Sequence, residues 1–458
     1  MIKNHRILRK KIALLCLYLM ALITSITAGL PSVFASSTPV FESEKRIGVT
    51  NDAMAAASAS KDSKDYFEDS KVTEGIKYTN IKISKQDYKQ SLHLLEIDFK
   101  ADSFELESVF GKDCLYGKET VSSMAKRKNA LAAINGSFFS SNGNPLGMIV
   151  HQGRIIKEPI LGRTVMGITK QGQVFFDNPK FDARFFYKKL KSNKAVALNS
   201  NGTDNANKQQ ANSSDTNEAY ETHFVELDGI NRKPDEDEII VYTPEYGNST
   251  MTKYKNSVEI VVAGEKVVSI ARCNSIIPPD GYVIYAGGVM SSELHAVTLN
   301  DEVYMELYAN PIWEQAEFAV SGGPRLIKDS EIVNAASAEK FREDVARGRA
   351  PRTAVGITKD NKMIFVCVDG RRKNAAGMTL RELSKFMLSR GVVDAMNLDG
   401  GGSTTFYLMG KVMNSPSDGH ERPVSQALIL KPRSAPESLA KKSACLLKLK
   451  INTKISFI

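Results

Sequence analysis

A carboxylate followed by three glycines and a run of hydroxyls, Asp399-Gly400-Gly401-Gly402-Ser403-Thr404-Thr405, is the stretch of this sequence best equipped for chemistry. Val392 to Leu398 reads as a buried strand before it, and Thr404 to Leu408 as a second strand after it. Asp-Gly is a strong hairpin signal, yet a two-residue turn leaves the second and third glycines without a purpose. Glycine costs backbone entropy, so such a cluster marks unusual dihedrals or a close approach to a ligand. A ligand-facing loop is therefore favoured over a plain hairpin. Its successive amides would form an anion-binding nest with Asp399 at the lip.

Other polar residues stand at the ends of apolar runs, where a rigid scaffold presents functional groups. They are Asn135 and Ser137, Arg325 after a Gly-Gly-Pro turn, Arg352, Asp369-Gly370-Arg371, and Ser417 to Arg422 with His420 among them. Each alone has a structural reading: Asp369-Gly370 is a turn, Arg325 a solvated charge, Asn135 a backbone cap. Together they place several arginines and two or three carboxylates in the second half of the chain. That combination suits an anionic substrate and an acid–base step.

Several chemistries are poorly matched. The six histidines are scattered, without His-Glu-x-x-His, His-x-His or Asp-x-His spacing, so no metal and no cofactor is expected. His93, His151, His223 and His295 fall in expected strands or loops without a chemical duty. The glycine loop lacks the lysine of a nucleotide-binding loop and leads into a strand where such a loop needs a helix. Gly-x-Ser-x-Gly is absent, which disfavours a serine hydrolase.

At 458 residues, with 42% hydrophobic and 25% charged residues, the composition is that of an ordinary globular protein. The formal charge of +9 looks basic, but the first 35 residues hold five basic residues and no acid. Without them 56 basic residues face 52 acidic ones, too small an excess to indicate a nucleic-acid partner. Those basic residues precede an apolar run from Ile12 and a Val33-Phe34-Ala35 cleavage pattern, the layout of a signal peptide cut after Ala35. An uncleaved anchor is the alternative, and it would be the chain's one link to a membrane. Either reading sends the protein out of the cytoplasm, as a secreted or extracellular cell-envelope protein. Cys367 reads as core, while Cys114 and Cys273 are candidates for a bridge that the sequence does not establish.

The positioning elements follow from periodicity. Residues 36–75 read as a flexible leader, 76–430 as the folded domain and 431–458 as a basic tail, with an Asn/Ser-rich disordered insertion at 198–217. Alternating runs between Tyr78 and Val109 and many later ones read as strands. Helices are expected over 121–128, over 337–347 and, with a Thr379/Glu382 capping box, ahead of Gly391. Arg163 to Lys170 returns as Arg352 to Lys359 with six identities in eight positions. The fold expected is α+β: mixed, mainly antiparallel sheets from two weakly repeated halves, with a few covering helices.

Five segments in order, AAINGSFF, SGGPRLIKDS, PRTAVGITKDNKMIFVCVDGR, GMTLRELSKFMLSRGVVDAMNLDGGGSTTF and NSPSDGHERPVSQALIL, resemble the phosphodiester glycosidase family. The resemblance is dense from about residue 132 to 430 and strongest after residue 319. It implies a hydrolase that cleaves a sugar-1-phosphodiester; the sugar does not follow from these motifs, and the signal-peptide layout makes a cell-wall or exopolysaccharide-type substrate the expectation. The leaving phosphate monoester is already anionic, so such a site depends less on a general acid than an ordinary glycosidase does. It needs a cationic clamp and a carboxylate at the anomeric carbon. Arg352 and Arg325 are the expected clamp, with Gly400, Gly401, Gly402, Ser403, Asn135, Ser137 and Arg371 as further binding groups. Asp399 is the first choice of carboxylate, as base or nucleophile, Asp369 the second, and His420 a proton shuttle. A phosphodiesterase cleaving P–O and a non-catalytic envelope glycan-binding protein are the competing readings.

Overall fold

Strands with apolar residues on both faces dictate a layered molecule. In Lys89–Asp98, Leu92 and Leu94 point to one side and Leu95 and Ile97 to the other; in Lys362–Val368 the same alternation separates Ile364 and Val366 from Phe365 and Cys367. A computed structural model describes residues 64–84, 88–99, 103–190, 220–253, 256–333 and 335–433. The signal segment, most of the leader, the insertion at 198–217 and the tail beyond residue 433 lie outside the described residues.

The largest sheet has eight strands, in the order Lys64–Thr73, Ile76–Ser84, Lys89–Asp98, Lys362–Val368, Arg352–Thr358, Val392–Asn397, Arg325–Lys328 and Glu331–Ile332. Every pairing in it is antiparallel. One face meets two five-stranded sheets over a shared core. Phe365, Met396 and Leu398 of the large sheet pack there with Ile134, Phe406 and Leu428 of one partner, and with Met166 and Val320 of the other. The opposite face is covered by the helix Leu380–Leu388, which buries Leu380, Leu383 and Met387 and is capped by the expected Thr379/Glu382 box. Residues 181–309 add a three-stranded and a five-stranded sheet that share their own apolar core around Phe185, Ile260 and Ile284.

The register gathers the polar strand ends. Arg352 pairs with Val368, and Ala354 with Asn397, so the start of one strand lies beside the ends of its two neighbours. Arg352, Asp369 and the Leu398-Asp399 step thus emerge on one edge. In the facing sheet, Ile134 pairs with Phe406 and Asn135 with Ala427, which brings Asn135 to that edge as well.

Mainly antiparallel sheets with few helices are as expected, but the five sheets do not divide into two repeated halves. Val165–Thr169 and Arg352–Thr358 both open antiparallel hairpins, yet they lie in different sheets. Ala316–Ser321, which belongs to the second of the two expected halves, pairs with Val165–Thr169 of the first. Two further expectations are corrected. Residues 64–73 of the leader form the edge strand of the large sheet. The helix expected over 337–347 shrinks to Glu343–Ala346. Its first turn is lost because Glu339 is drawn into the interior, where it accepts from the Thr164 hydroxyl and amide and from the Arg325 amide. Cys114 and Cys273 are free, exposed thiols.

Phe406 is fully buried, with ring centres 5.7 Å from Tyr78 and 5.9 Å from His93. Phe406→Ala should lower stability by about 3–5 kcal/mol. Urea unfolding should show a lower midpoint with an unchanged slope.

Candidate functional site

The three glycines each have a separate steric cause. Gly400 lies against the Pro351 carbonyl, 2.8 Å from where a Cβ would stand. Gly401 has φ +62 and lies under the Arg371 guanidinium, whose Nη1 would be 3.2 Å from a Cβ. At Gly402 a Cβ would overlap Arg422 and Asp418. The loop is therefore a bare backbone surface on which two arginines rest directly. It is not an open amide nest. The Gly400 N–H donates to the Asp399 carboxylate (2.9 Å), Gly401 to Pro351 O, Ser403 to Gly400 O and Thr404 to Gly401 O.

Asp399 is fixed through its main chain. Its N–H donates to Gly136 O (3.2 Å), and its carbonyl accepts from Asn135 Nδ2 (2.6 Å). Asn135 is wholly buried, and its Oδ1 accepts from the Thr353 hydroxyl (2.7 Å) and the Thr405 N–H (3.1 Å). Burial raises the Asp399 carboxyl to about 6, against the downward pull of Ser403, of the Gly400 N–H and of the Arg422 charge. The Ser403 hydroxyl sits near enough to contribute, yet it meets no partner in hydrogen-bond geometry. Asn397 Oδ1 and Thr404 Oγ1 are likewise buried and unpartnered among the described residues. Each such atom costs about 1–3 kcal/mol unless something supplies a bond. All three lie on the short segment that carries the Asp399 carboxyl.

The other expected residues divide. Arg371 lies at the loop as expected and is exposed. Arg352 is buried, with Nε donating to Met378 O (3.0 Å) and Nη2 to Gly348 O (2.6 Å). Burial, and then the neighbouring Arg371 charge, lower it to about 10. It contributes positive field from beneath and is not open to a phosphate. Arg325 pairs with Asp394, donates to Ile327 O and stacks over Phe176, so it is engaged away from the loop. Ser137 donates to Gln426 and belongs to the packing of its sheet. His420 is exposed on the turn before Arg422.

Asp369 is buried, accepting from the Ser415 N–H (2.8 Å) and Asn414 Nδ2 (3.4 Å). Asn414 also donates to Thr404 O (3.0 Å), so Asp369 supports the glycine loop from below. Behind it His93 Nε2 stands 3.6 Å away, and His93 Nδ1 bonds the Tyr78 hydroxyl (2.7 Å). Arg422 is the site residue that the sequence did not single out from its segment. Its Nε and Nη2 both donate to Asp418 (2.9 and 2.6 Å), and Glu421 secures the segment by accepting the Ser122 N–H of the helix Val121–Arg127. The third glycine was the available signal, since only a group packed on the loop requires it. Among the described residues, no group of three or more His, Cys, Asp or Glu side chains is placed to hold a metal ion.

Residues 256–431 match the family model for phosphodiester glycosidase. It is 32% identical over 153 residues to the SPbeta prophage-derived uncharacterized protein YomE of Bacillus subtilis (strain 168), a match covering 32% of this chain and 23% of that protein. It is also 32% identical over 136 residues to the N-acetylglucosamine-1-phosphodiester alpha-N-acetylglucosaminidase of Bos taurus, covering 29% of this chain and 24% of that one. The match thus spans about a quarter of the length of these relatives. In fold the chain is similar to a hypothetical protein from Synechocystis, with TM-score 0.65 and 22% identity over 80% of this chain and 64% of that one.

Two predictions follow from this geometry. Gly402→Ala should displace Arg422 and weaken inhibition by inorganic phosphate roughly tenfold or more, a loss of about 1.4 kcal/mol, with circular dichroism unchanged. The second concerns Asp399. Its carboxyl binds a proton more tightly folded than unfolded, so the folded state loses stability as pH rises from about 4 to about 6 and stays at that lower level above. The displacement from 3.8 to about 6 corresponds to roughly 3 kcal/mol. Asp399→Asn keeps an acceptor for Gly400, so above pH 6 it should be more stable than wild type by up to that amount. The gain should vanish near pH 4 in denaturant titrations.

Proposed function

We propose that this chain is a secreted or envelope-associated phosphodiester glycosidase that cleaves the bond between an anomeric carbon and a phosphodiester oxygen. The observation that carries the reading is the Asp399 carboxyl on a glycine loop directly covered by Arg371 and Arg422. The match of residues 256–431 to the phosphodiester glycosidase model supports it, and the basic, apolar, small-residue layout of the first 35 residues supports the location.

The chemistry follows from charge. Arg371 and Arg422 hold the phosphodiester, and as the C1–O bond breaks they stabilise the charge gathering on the departing phosphate monoester. That group leaves as an anion, so it requires little protonation. Asp399, ionised above about pH 6, faces the anomeric carbon as base or nucleophile. Water supplies the new oxygen on C1, and its proton leaves through the carboxylate. Asp369 is a positioning residue on this reading, because its oxygens are committed beneath the loop. The substrate we propose is a sugar-1-phosphodiester of a cell-wall or exopolysaccharide type.

The test is hydrolysis of a panel of synthetic sugar-1-phosphate esters in oxygen-18 water. Label should enter the anomeric hydroxyl of the released sugar and be absent from the phosphate. Label in the phosphate would mean P–O cleavage and would overturn the glycosidase reading. Binding of the esters without any turnover would leave a glycan-binding protein.

A further inference from the structure

An aromatic pair lies two residues along the chain from a hydrogen-bond partner of Asp399. Asp399 donates to Gly136 O, and two residues along the chain Phe138 lies with its ring 5.5 Å from that of Phe341. Phe341 is bounded on other sides by Arg163, whose guanidinium stands 4.1 Å over the ring, and by Gly323, where a Cβ would come within 2.8 Å of the ring edge. Gly323 in turn donates to Asn397 O (2.7 Å) and accepts from Asn397 Nδ2 (3.1 Å). Both rings keep part of their surface exposed.

We propose that Phe138 and Phe341 form the subsite for the sugar ring. This rests on the function proposed above and adds to it a polarity. The phosphate lies toward Arg371 and Arg422, the pyranose lies toward the two phenylalanines, and Asp399 stands between. The chemistry is complementary, since a pyranose presents faces of C–H groups that pack on the electron-rich face of an aromatic ring. Arg163 and Gly323 hold the Phe341 ring in place, so little side-chain entropy remains to be lost on binding.

The experiment compares wild type, Phe138→Ala, Phe341→Ala and Phe341→Tyr for KM toward a pyranosyl 1-phosphodiester and for inhibition by inorganic phosphate, which probes only the arginine side. Both alanine variants should raise KM on the order of tenfold, with phosphate inhibition and kcat little changed, and Phe341→Tyr should restore KM. Turnover by wild type with unchanged KM in both alanine variants overturns the subsite and leaves the glycosidase reading intact. If wild type releases no sugar from any ester, that reading falls, and calorimetric binding of a pyranosyl 1-phosphate then decides the subsite. Weaker binding by Phe341→Ala with phosphate binding preserved supports it, and equal binding overturns it. Should Phe341→Ala lose phosphate binding too, Phe341→Leu, apolar but without a ring, is judged by the same criteria.

Discussion

The geometry of the site depends on one buried amide. Asn135 ends a strand of the smaller sheet, yet its side chain bonds Asp399, Thr353 and Thr405, two of which belong to the opposite layer or the loop between. Sheet-on-sheet contact through apolar side chains is non-directional and tolerates sliding. A fully satisfied polar node in the same interior does not, because any shift leaves a buried group unpaired at a cost of about 1–3 kcal/mol. Asn135 thus fixes the two layers at the point where the carboxylate emerges. Asn414 does the same on the far side of the loop by tying Thr404 and Phe406 to Asp369.

Charges at this edge are held apart from their natural partners. Asp399 is raised by burial and among the described residues pairs with no arginine in a salt bridge, while Arg352 lies buried on two carbonyls and is lowered by burial and by Arg371. A direct Asp399–Arg pair would relieve both, and it would also leave neither free for a substrate. The separation comes from bare glycine backbone, which lets the Arg371 and Arg422 head groups lie on the loop while the carboxylate accepts from the Gly400 amide. Arg422 is the exception, and its partner Asp418 lies in a solvated pair of little net strength. A dianionic or diester phosphate competes with such a pair at small cost.

Much of the fold was legible because strand alternation and the Thr379/Glu382 box are local signals, and both faces of the large sheet carry them. The glycine loop and Asp399 were legible for the same reason, as was Arg371. What local reading could not supply was the destination of each side chain. Arg325 and Arg352 look alike in sequence, but one meets Asp394 and the other two carbonyls. Glu339 broke an expected helix because a buried Thr164 and the Arg325 amide outcompete one turn of helical bonds. The repeat misled in a similar way. Two hairpins with the same local sequence were placed in different sheets, because pairing partners far away in the chain decide the sheet.

The unpartnered atoms give the last constraint. Asn397 Oδ1, Ser403 Oγ and Thr404 Oγ1 are all on the segment that also carries the raised carboxyl, and the apolar layers beneath are well packed. Stability is therefore lost locally, in one short stretch, while the sheets and Asn135 keep the stretch from relaxing. A site with an uncompensated carboxyl held rigid in this way is organised before any ligand arrives. A small anion alone reaches only the arginine side. On the function proposed above, a ligand joining an anion to a sugar ring would meet the arginines and the phenylalanines at once, which a simple phosphate ester would not.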